Sequence, residues 1–134
     1  MSASGTGPLD NDSALDLCDD LRELAPEQAV DALRAALRSA ADVPPGDYLE
    51  RDTAEAAIAA AALVLARRGG AAVVLADADL TLPEPPADLV GLIPPALSRA
   101  LAPDSEVRGL WADAGLGDSW RAEVERLRRE ATGS

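Results

Sequence analysis

Carboxylates near the start of the chain are the residues whose types and spacing best suit chemistry. Asp10, Asp12 and Asp16 lie close together in the sequence, and such oxygen ligands suit a divalent cation. The match to a calcium-binding loop is poor, because position six counted from Asp10 is Leu15, where such loops have glycine. Asp12 and Asp16 also lie where carboxylates stabilise the start of a helix. They are therefore weak metal candidates, and we predict neither a metal site nor a cofactor.

Several catalytic arrangements are excluded because the residue types they need are missing. The chain has no histidine, and all 12 of its basic residues are arginine. Histidine-dependent nucleophilic catalysis, histidine metal ligands, Schiff-base chemistry at lysine and lysine-containing phosphate loops are therefore excluded. The single cysteine, Cys18, falls on an apolar helical stripe with no base nearby, which is typical of a packed thiol. We predict no catalytic residues and a protein that is not an enzyme.

The charge balance restricts the class of partner. The formal net charge is −12, with 24 acidic residues against 12 basic ones. Nucleic acids and anionic membrane surfaces are bound by clustered basic residues, so we expect neither as a partner. A basic protein fits this charge, and we interpret the chain as a non-enzymatic binding protein that regulates or neutralises such a partner. The alternative is binding of a divalent metal or small ligand at the turn formed by Asp10, Asn11 and Asp12.

Length and cysteine content indicate one domain in a reducing compartment. The 134 residues suit a single domain with a modest core, and we expect loose ends at residues 1–4 and 131–134. A lone cysteine can form no internal disulfide, and no basic-then-apolar leader opens the sequence. The longest apolar run, residues 56–66, falls short of the roughly 20 residues that cross a bilayer. We expect a cytoplasmic protein.

Apolar residues recur at helical spacing, and good helix formers dominate the composition. They predict an all-α fold, an irregular orthogonal bundle of five to seven short helices around an Ala-rich central helix. The central helix is predicted over residues 52–68, with Asp52 as its cap and Glu55 completing a capping box. Because its sequence is apolar nearly all round, we expect the other helices to surround it.

The remaining helices are predicted from their caps and stops. The first runs from about Ser13 to Leu24 with Asp12 or Asn11 as its cap, and the second from Pro26 to just before Pro44. A later helix is predicted over residues 87–92, where Pro94 and Pro95 stop it, and another over 96–102. Two more helices are predicted to begin at caps Asp104 and Asp118. Gly115 is predicted to end the helix that Asp104 begins. Residues 71–82 are predicted as a helical turn followed by a loop, with a short strand as the alternative.

The two tryptophans are candidates for either the core or an interface. Trp111 and Trp120 both fall on apolar helical stripes, which favours a place in the core. If either were exposed near the turn at residues 115–117, it would instead anchor an interface.

The opening segment also carries a distinctive motif, Gly5-Thr6-Gly7-Pro8-Leu9-Asp10-Asn11-Asp12-Ser13-Ala14. It resembles the N-terminal signature of an uncharacterised bacterial family often found in actinobacteria, domain-of-unknown-function family 4259. Ser4 and Leu9 stand where that family has tryptophan and phenylalanine, while residues 47–50 and 104–111 also resemble it. The resemblance implies an α-helical domain and no activity. Its signature residues Gly5, Gly7, Pro8, Asp10, Asn11 and Asp12 suit a structural role, because they form the turn that leads into the first helix.

Overall fold

Helices provide the regular structure of residues 9, 11–44, 46–69 and 82–132, the parts of the chain that the computed structural model describes. In chain order they are α1 (Asp12–Arg22), α2 (Pro26–Ala41), α3 (Arg51–Gly69), α4 (Ala87–Gly91), α5 (Ile93–Ala100), α6 (Glu106–Asp113) and α7 (Gly117–Thr132). One isolated parallel bridge joins Leu49 to Ser105. The predicted all-α fold is confirmed, although α7 continues two residues into the predicted loose C-terminal end.

The Ala-rich helix α3 forms the centre of the bundle. Every residue from 57 to 66 is buried, and α3 contacts each of the other described helices. Alanine side chains let neighbouring backbones approach closely, while Ile58, Leu63 and Val64 supply the larger apolar volume. Close approach thereby compensates for a sequence without phenylalanine. The prediction of a buried central helix is confirmed.

The starts of α1 and α3 show how acidic residues mark a helix N-terminus. Asn11, one of the two predicted caps, accepts a hydrogen bond from the Ala14 backbone N–H at 2.8 Å. Helix α3 begins at Arg51, so Asp52 lies in its first turn and the predicted cap is wrong. A carboxylate stabilises the N-terminus from any position in the first turn, and the residue type therefore does not identify the cap.

Two later helix starts also depart from prediction. Asp118 lies in the first turn of α7, which begins at Gly117. Ser105 occupies the cap position of α6, and Asp104 instead binds the side chain of Arg99. Both aspartates were predicted as caps; Asp104 lies one residue before the cap of α6, and Asp118 lies two residues after the cap position of α7.

Two prolines that were predicted to end a helix lie inside the start of one. Helix α4 ends at Gly91, and α5 begins at Ile93 with Pro94 and Pro95 in its first turn. Backbone N–H groups in a first turn have no partner within the helix, so proline loses nothing there. Helix α5 consequently starts three residues before the predicted position.

The end of α6 follows the prediction. Gly115 has φ +78°, a conformation that favours glycine. The N–H of Leu116 donates to the Trp111 carbonyl at 2.9 Å, and the N–H of Gly115 donates to the Ala112 carbonyl at 3.1 Å. These two bonds form a Schellman motif, which turns the chain from α6 into α7.

Most of the segment between α3 and α4 lies outside the described residues, and with it the predicted helical turn and loop over 71–82. Leu82, at the end of that segment, is buried, and its carbonyl accepts a hydrogen bond from Arg67 Nε at 2.9 Å.

Replacing Ala60 by leucine should destabilise the protein, because Ala60 is fully buried in α3 and a larger side chain must displace its neighbours. Overpacking of this kind costs about 1–3 kcal/mol. The matched control is Ala35→Leu at an exposed position of α2. Thermal unfolding followed by circular dichroism should give a lower melting temperature for Ala60→Leu than for the control. Equal melting temperatures would contradict close packing at Ala60.

Candidate functional site

The outward side of α1 is densely acidic. We define the acidic face as five exposed residues: Asp12, Asp16, Asp19, Asp20 and Glu23. Four of them recur at intervals of four, three and four residues, which places them in one line along the helix. The opposite side of α1 buries Ala14, Cys18 and Leu21 against the bundle. The packing of α1 therefore presents these carboxylates to solvent together.

This arrangement is electrostatically unfavourable for α1 itself. Like charges lie four residues apart in three pairs: Asp12–Asp16, Asp16–Asp20 and Asp19–Glu23. Each such pair costs about 0.2–0.5 kcal/mol. The carboxylates in the last turn and at the C-cap also face the negative end of the helix dipole. Arg22 offsets part of this by pairing with Asp19. The fold alone gives no reason for so many acids here.

An apolar side chain lies beside the acidic face. Leu15 is 56% exposed on α1, next in sequence to Asp16. A large exposed apolar group among carboxylates offers a partner a contact that is not electrostatic.

The N-termini of α1, α3 and α6 meet at one end of the bundle. Ser13 Oγ donates to Asp52 Oδ1 at 3.3 Å, and the Arg51 backbone N–H donates to Glu106 Oε1 at 2.8 Å. We call the group formed by Ser13, Arg51, Asp52, Glu55 and Glu106 the N-terminal junction. Its hydrogen bonds connect residues 39 and 55 positions apart, so no local sequence pattern indicates it.

Glu55 is the unusual member of the N-terminal junction. It is only 5% exposed, and Arg51 Nε lies 3.4 Å from its Oε1. Among the described residues, no hydrogen bond of normal geometry reaches that oxygen. Burial raises the pKa of Glu55, while the Arg51 charge acts in the opposite direction. The predicted capping role is wrong, because α3 begins at Arg51 and the Glu55 side chain is buried.

A second polar group fixes the loop between α2 and α3. Arg99, 8% exposed, donates from Nε to the Val43 carbonyl at 2.9 Å and from Nη2 to the carbonyls of Pro44 and Asp47. Its Nη1 donates to Asp104 Oδ1 at 2.6 Å. Burial acts to raise the pKa of Asp104, but hydrogen bonds from Arg99 and the Gly46 N–H outweigh it and lower the pKa.

An open cleft of about 450 Å³ lies beside Arg99 and is lined mainly by apolar groups of α2, α5 and the following loop. Its charged groups, Arg99 and Asp104, bind each other and the neighbouring backbone. The role that this geometry supports for them is structural.

The weak metal candidates are not brought together by the described structure. Asp12 and Asp16 are exposed, Asp10 lies outside the described residues, and the Asn11 side chain is engaged as a cap. Within the described ranges, no group of three or more histidine, cysteine, aspartate or glutamate residues could hold a metal ion. Signature residues Gly5, Gly7 and Pro8 also lie outside the description. The absence of a metal and cofactor stays a prediction.

The cysteine and the tryptophans occupy packed positions. Cys18 is 4% exposed, and burial raises the pKa of its thiol, which disfavours the reactive thiolate. Trp120 is also 4% exposed and packs in the core, so it does not meet the condition of exposure on which a role as interface anchor was predicted. Trp111 is half-buried and packs against the core. The expectation of a core position is confirmed fully for Trp120 and in part for Trp111.

In the described part of the chain, no helix combines the length and apolar character that crossing a membrane requires.

The fold and these polar groups define a small all-α domain with an acidic first helix and a buried carboxylate where three helices begin. The chain matches the family described as Domain of unknown function (DUF4259) over residues 2–123, and it belongs to that family. No curated protein and no solved structure matches this chain.

As pH rises, the wild type should lose stability relative to the variant Glu55→Gln. Glu55 has a raised pKa in the folded state, so folding favours its protonated form. Its contribution to stability therefore falls as pH rises from its unfolded pKa through its folded pKa. Urea denaturation across a pH series should show the wild type losing stability relative to Glu55→Gln over that window. A difference that does not change with pH would contradict an ionisable, buried Glu55.

Replacing Arg99 by alanine should destabilise the protein strongly, because three loop carbonyls and Asp104 lose their donor. Breaking a buried ion pair costs about 3–5 kcal/mol. Arg99→Lys keeps the charge but not the forked geometry, and should lie between alanine and wild type. Arg38→Ala, at an exposed position of α2, is the control. A similar urea midpoint for Arg99→Ala and Arg38→Ala would rule out a structural role for Arg99.

Proposed function

We propose that this protein is a non-enzymatic binding protein whose acidic face on α1 takes up a basic segment of a partner protein and thereby regulates or neutralises it. The observation that carries the proposal is the exposed line of carboxylates on α1. A net charge of −12 would attract a basic partner from a distance, and the acidic face would give it a defined place to bind.

The energetics of α1 support this role. Its like-charge pairs and its C-terminal acids weaken the helix that carries them. A cationic partner would relieve that repulsion, so binding and stabilisation of α1 would be coupled. Local features that oppose the fold are expected at functional sites.

The residue types support a non-enzymatic role. Histidine and lysine are absent, and the one thiol is buried with a raised pKa. The carboxylates of the acidic face are exposed to solvent, where a partner can reach them.

Neutralising part of the acidic face should weaken binding and stabilise the protein at the same time. Asp16→Asn with Asp20→Asn removes two of the three like-charge pairs, Asp12–Asp16 and Asp16–Asp20, which should raise the free energy of unfolding by about 0.4–1 kcal/mol. Each lost ion pair with an arginine-rich peptide should cost about 0.2–1 kcal/mol, or about two- to thirtyfold in affinity for both. Calorimetric titration at low and physiological salt measures this.

The matched control is Asp42→Asn with Asp113→Asn, two exposed acids at the C-terminal ends of α2 and α6. It makes the same change in net charge and should leave most of the affinity intact. Equal losses in the two double variants would show that α1 is not the binding face. If the wild type fails to bind the peptide at low salt, the proposed function is wrong.

A further inference from the structure

We propose that the N-terminal junction binds an arginine side chain of the basic partner, with its guanidinium held between the carboxylates of Asp52 and Glu55. This inference rests on the proposed function and names the point at which the partner is anchored. It concerns a site beside the acidic face, because Ser13 of the junction and Asp16 of the face are neighbours on the surface of α1.

The first observation is the buried carboxylate. Glu55 is 5% exposed, and its Oε1 accepts no hydrogen bond of normal geometry from the described residues. A buried acceptor without a donor costs stability, by about 1–3 kcal/mol and more if it is charged. Glu55 Oε1 therefore has lone pairs that a cationic donor can engage, while hydrogen bonds from Ser13 and Arg51 to the carboxyl group act to lower its pKa.

The second observation is that a guanidinium already reaches this carboxylate. Arg51 Nε lies 3.4 Å from Glu55 Oε1, while the Arg51 side chain is 42% exposed. This contact is an ion pair, but it is longer than a good charge-assisted hydrogen bond of about 2.7–2.9 Å. Arg51 therefore holds Glu55 through a long ion pair that acts to lower its pKa, and an incoming guanidinium would compete with Arg51 for Oε1.

The arrangement of acceptors favours arginine over lysine. Asp52 and Glu55 lie three residues apart in the first turns of α3, on neighbouring positions of the helix surface. Ser13 donates to Asp52 Oδ1, which orients that carboxylate. A planar guanidinium presents several N–H groups in a fixed fork and can serve two carboxylates at once, whereas an ammonium acts as a point charge.

The charges around Glu55 determine how binding depends on pH. Arg51 and Asp52 of α3 act on it through their charges, and hydrogen bonds from Arg51 and from Ser13 of α1 act to lower its pKa. Because the pKa of Glu55 is raised by burial, it becomes protonated at a higher pH than exposed carboxylates do. Binding of a cation at Glu55 should therefore weaken on acidification, and this loss should disappear in Glu55→Gln.

The test compares an arginine-rich with a lysine-rich peptide of equal length by calorimetric titration. Glu55→Gln should weaken binding of the arginine peptide about tenfold, the loss expected for one charge-assisted hydrogen bond. Its matched control, Glu84→Gln at an exposed position before α4, should change it less than about twofold. The lysine peptide should respond much less to Glu55→Gln.

A second pair of variants gives an effect of the opposite sign. Arg51→Gln removes the competing guanidinium and should strengthen binding of the arginine peptide by about threefold relative to Arg38→Gln, which makes the same charge change on exposed α2. If circular dichroism shows that Glu55→Gln does not fold, this second pair of variants tests the inference instead. In that case, equal affinities for Arg51→Gln and Arg38→Gln would overturn the inference.

The outcomes separate this inference from the proposed function. If the wild type binds in a salt-dependent way but Glu55→Gln and Glu84→Gln bind equally, the junction is not the anchor and the proposed function stands. The same conclusion follows if Glu55→Gln weakens binding of both peptides equally. It also follows if binding to Glu55→Gln still weakens on acidification as it does for the wild type. Failure of the wild type to bind either peptide overturns both.

Discussion

The structure depends on how closely helices can approach the alanine surface of α3. Residues 57–66 are all buried, and the other described helices contact this one helix. A core of small side chains has little volume per residue, so its stability comes from close contact over a large area. The position of α3 also determines the polar groups at its ends. The first turn of α3 brings Asp52 and Glu55 to the place where α1 and α6 begin.

The division of α1 into two sides follows from the same constraint. Its inner side packs Ala14, Cys18 and Leu21 into the bundle, which leaves the acidic face to solvent. The acids of that face carry a local cost in like-charge repulsion and in opposition to the helix dipole. The helix is therefore stabilised by its packing and weakened by its surface. This separation allows the surface to carry an unfavourable charge pattern without loss of the fold.

Much of the fold was predictable because its signals are local. The apolar run in α3, the positive-φ position of Gly115 and the proline start of α2 each act over a few residues. The same local signals identified the all-α class and the central helix. Exact helix starts were less predictable, because an aspartate stabilises a helix from the cap or from the first turn. Asp52 and Asp118 show this ambiguity.

The candidate sites were less accessible to sequence reasoning. The helical spacing of Ala14, Cys18 and Leu21 already placed Asp16, Asp19 and Asp20 off the apolar side of α1, and the packing confirms which side faces solvent. The N-terminal junction and the Arg99 group depend on contacts between distant segments. Glu55 was interpreted as a capping residue, since its spacing from Asp52 fits a capping box. Its burial is a property of the bundle and has no local signal.

Arg99 holds the loop between α2 and α3 through the loop's backbone, which leaves the side chains of the loop free to change. Three of its hydrogen bonds go to the carbonyls of Val43, Pro44 and Asp47. Every amino acid supplies a carbonyl, so these bonds do not depend on the side chains at those positions. The shape of the loop is thereby separated from its sequence. Exposed residues such as Asp47 and Tyr48 can be exchanged during evolution or by design while the backbone that presents them keeps its course.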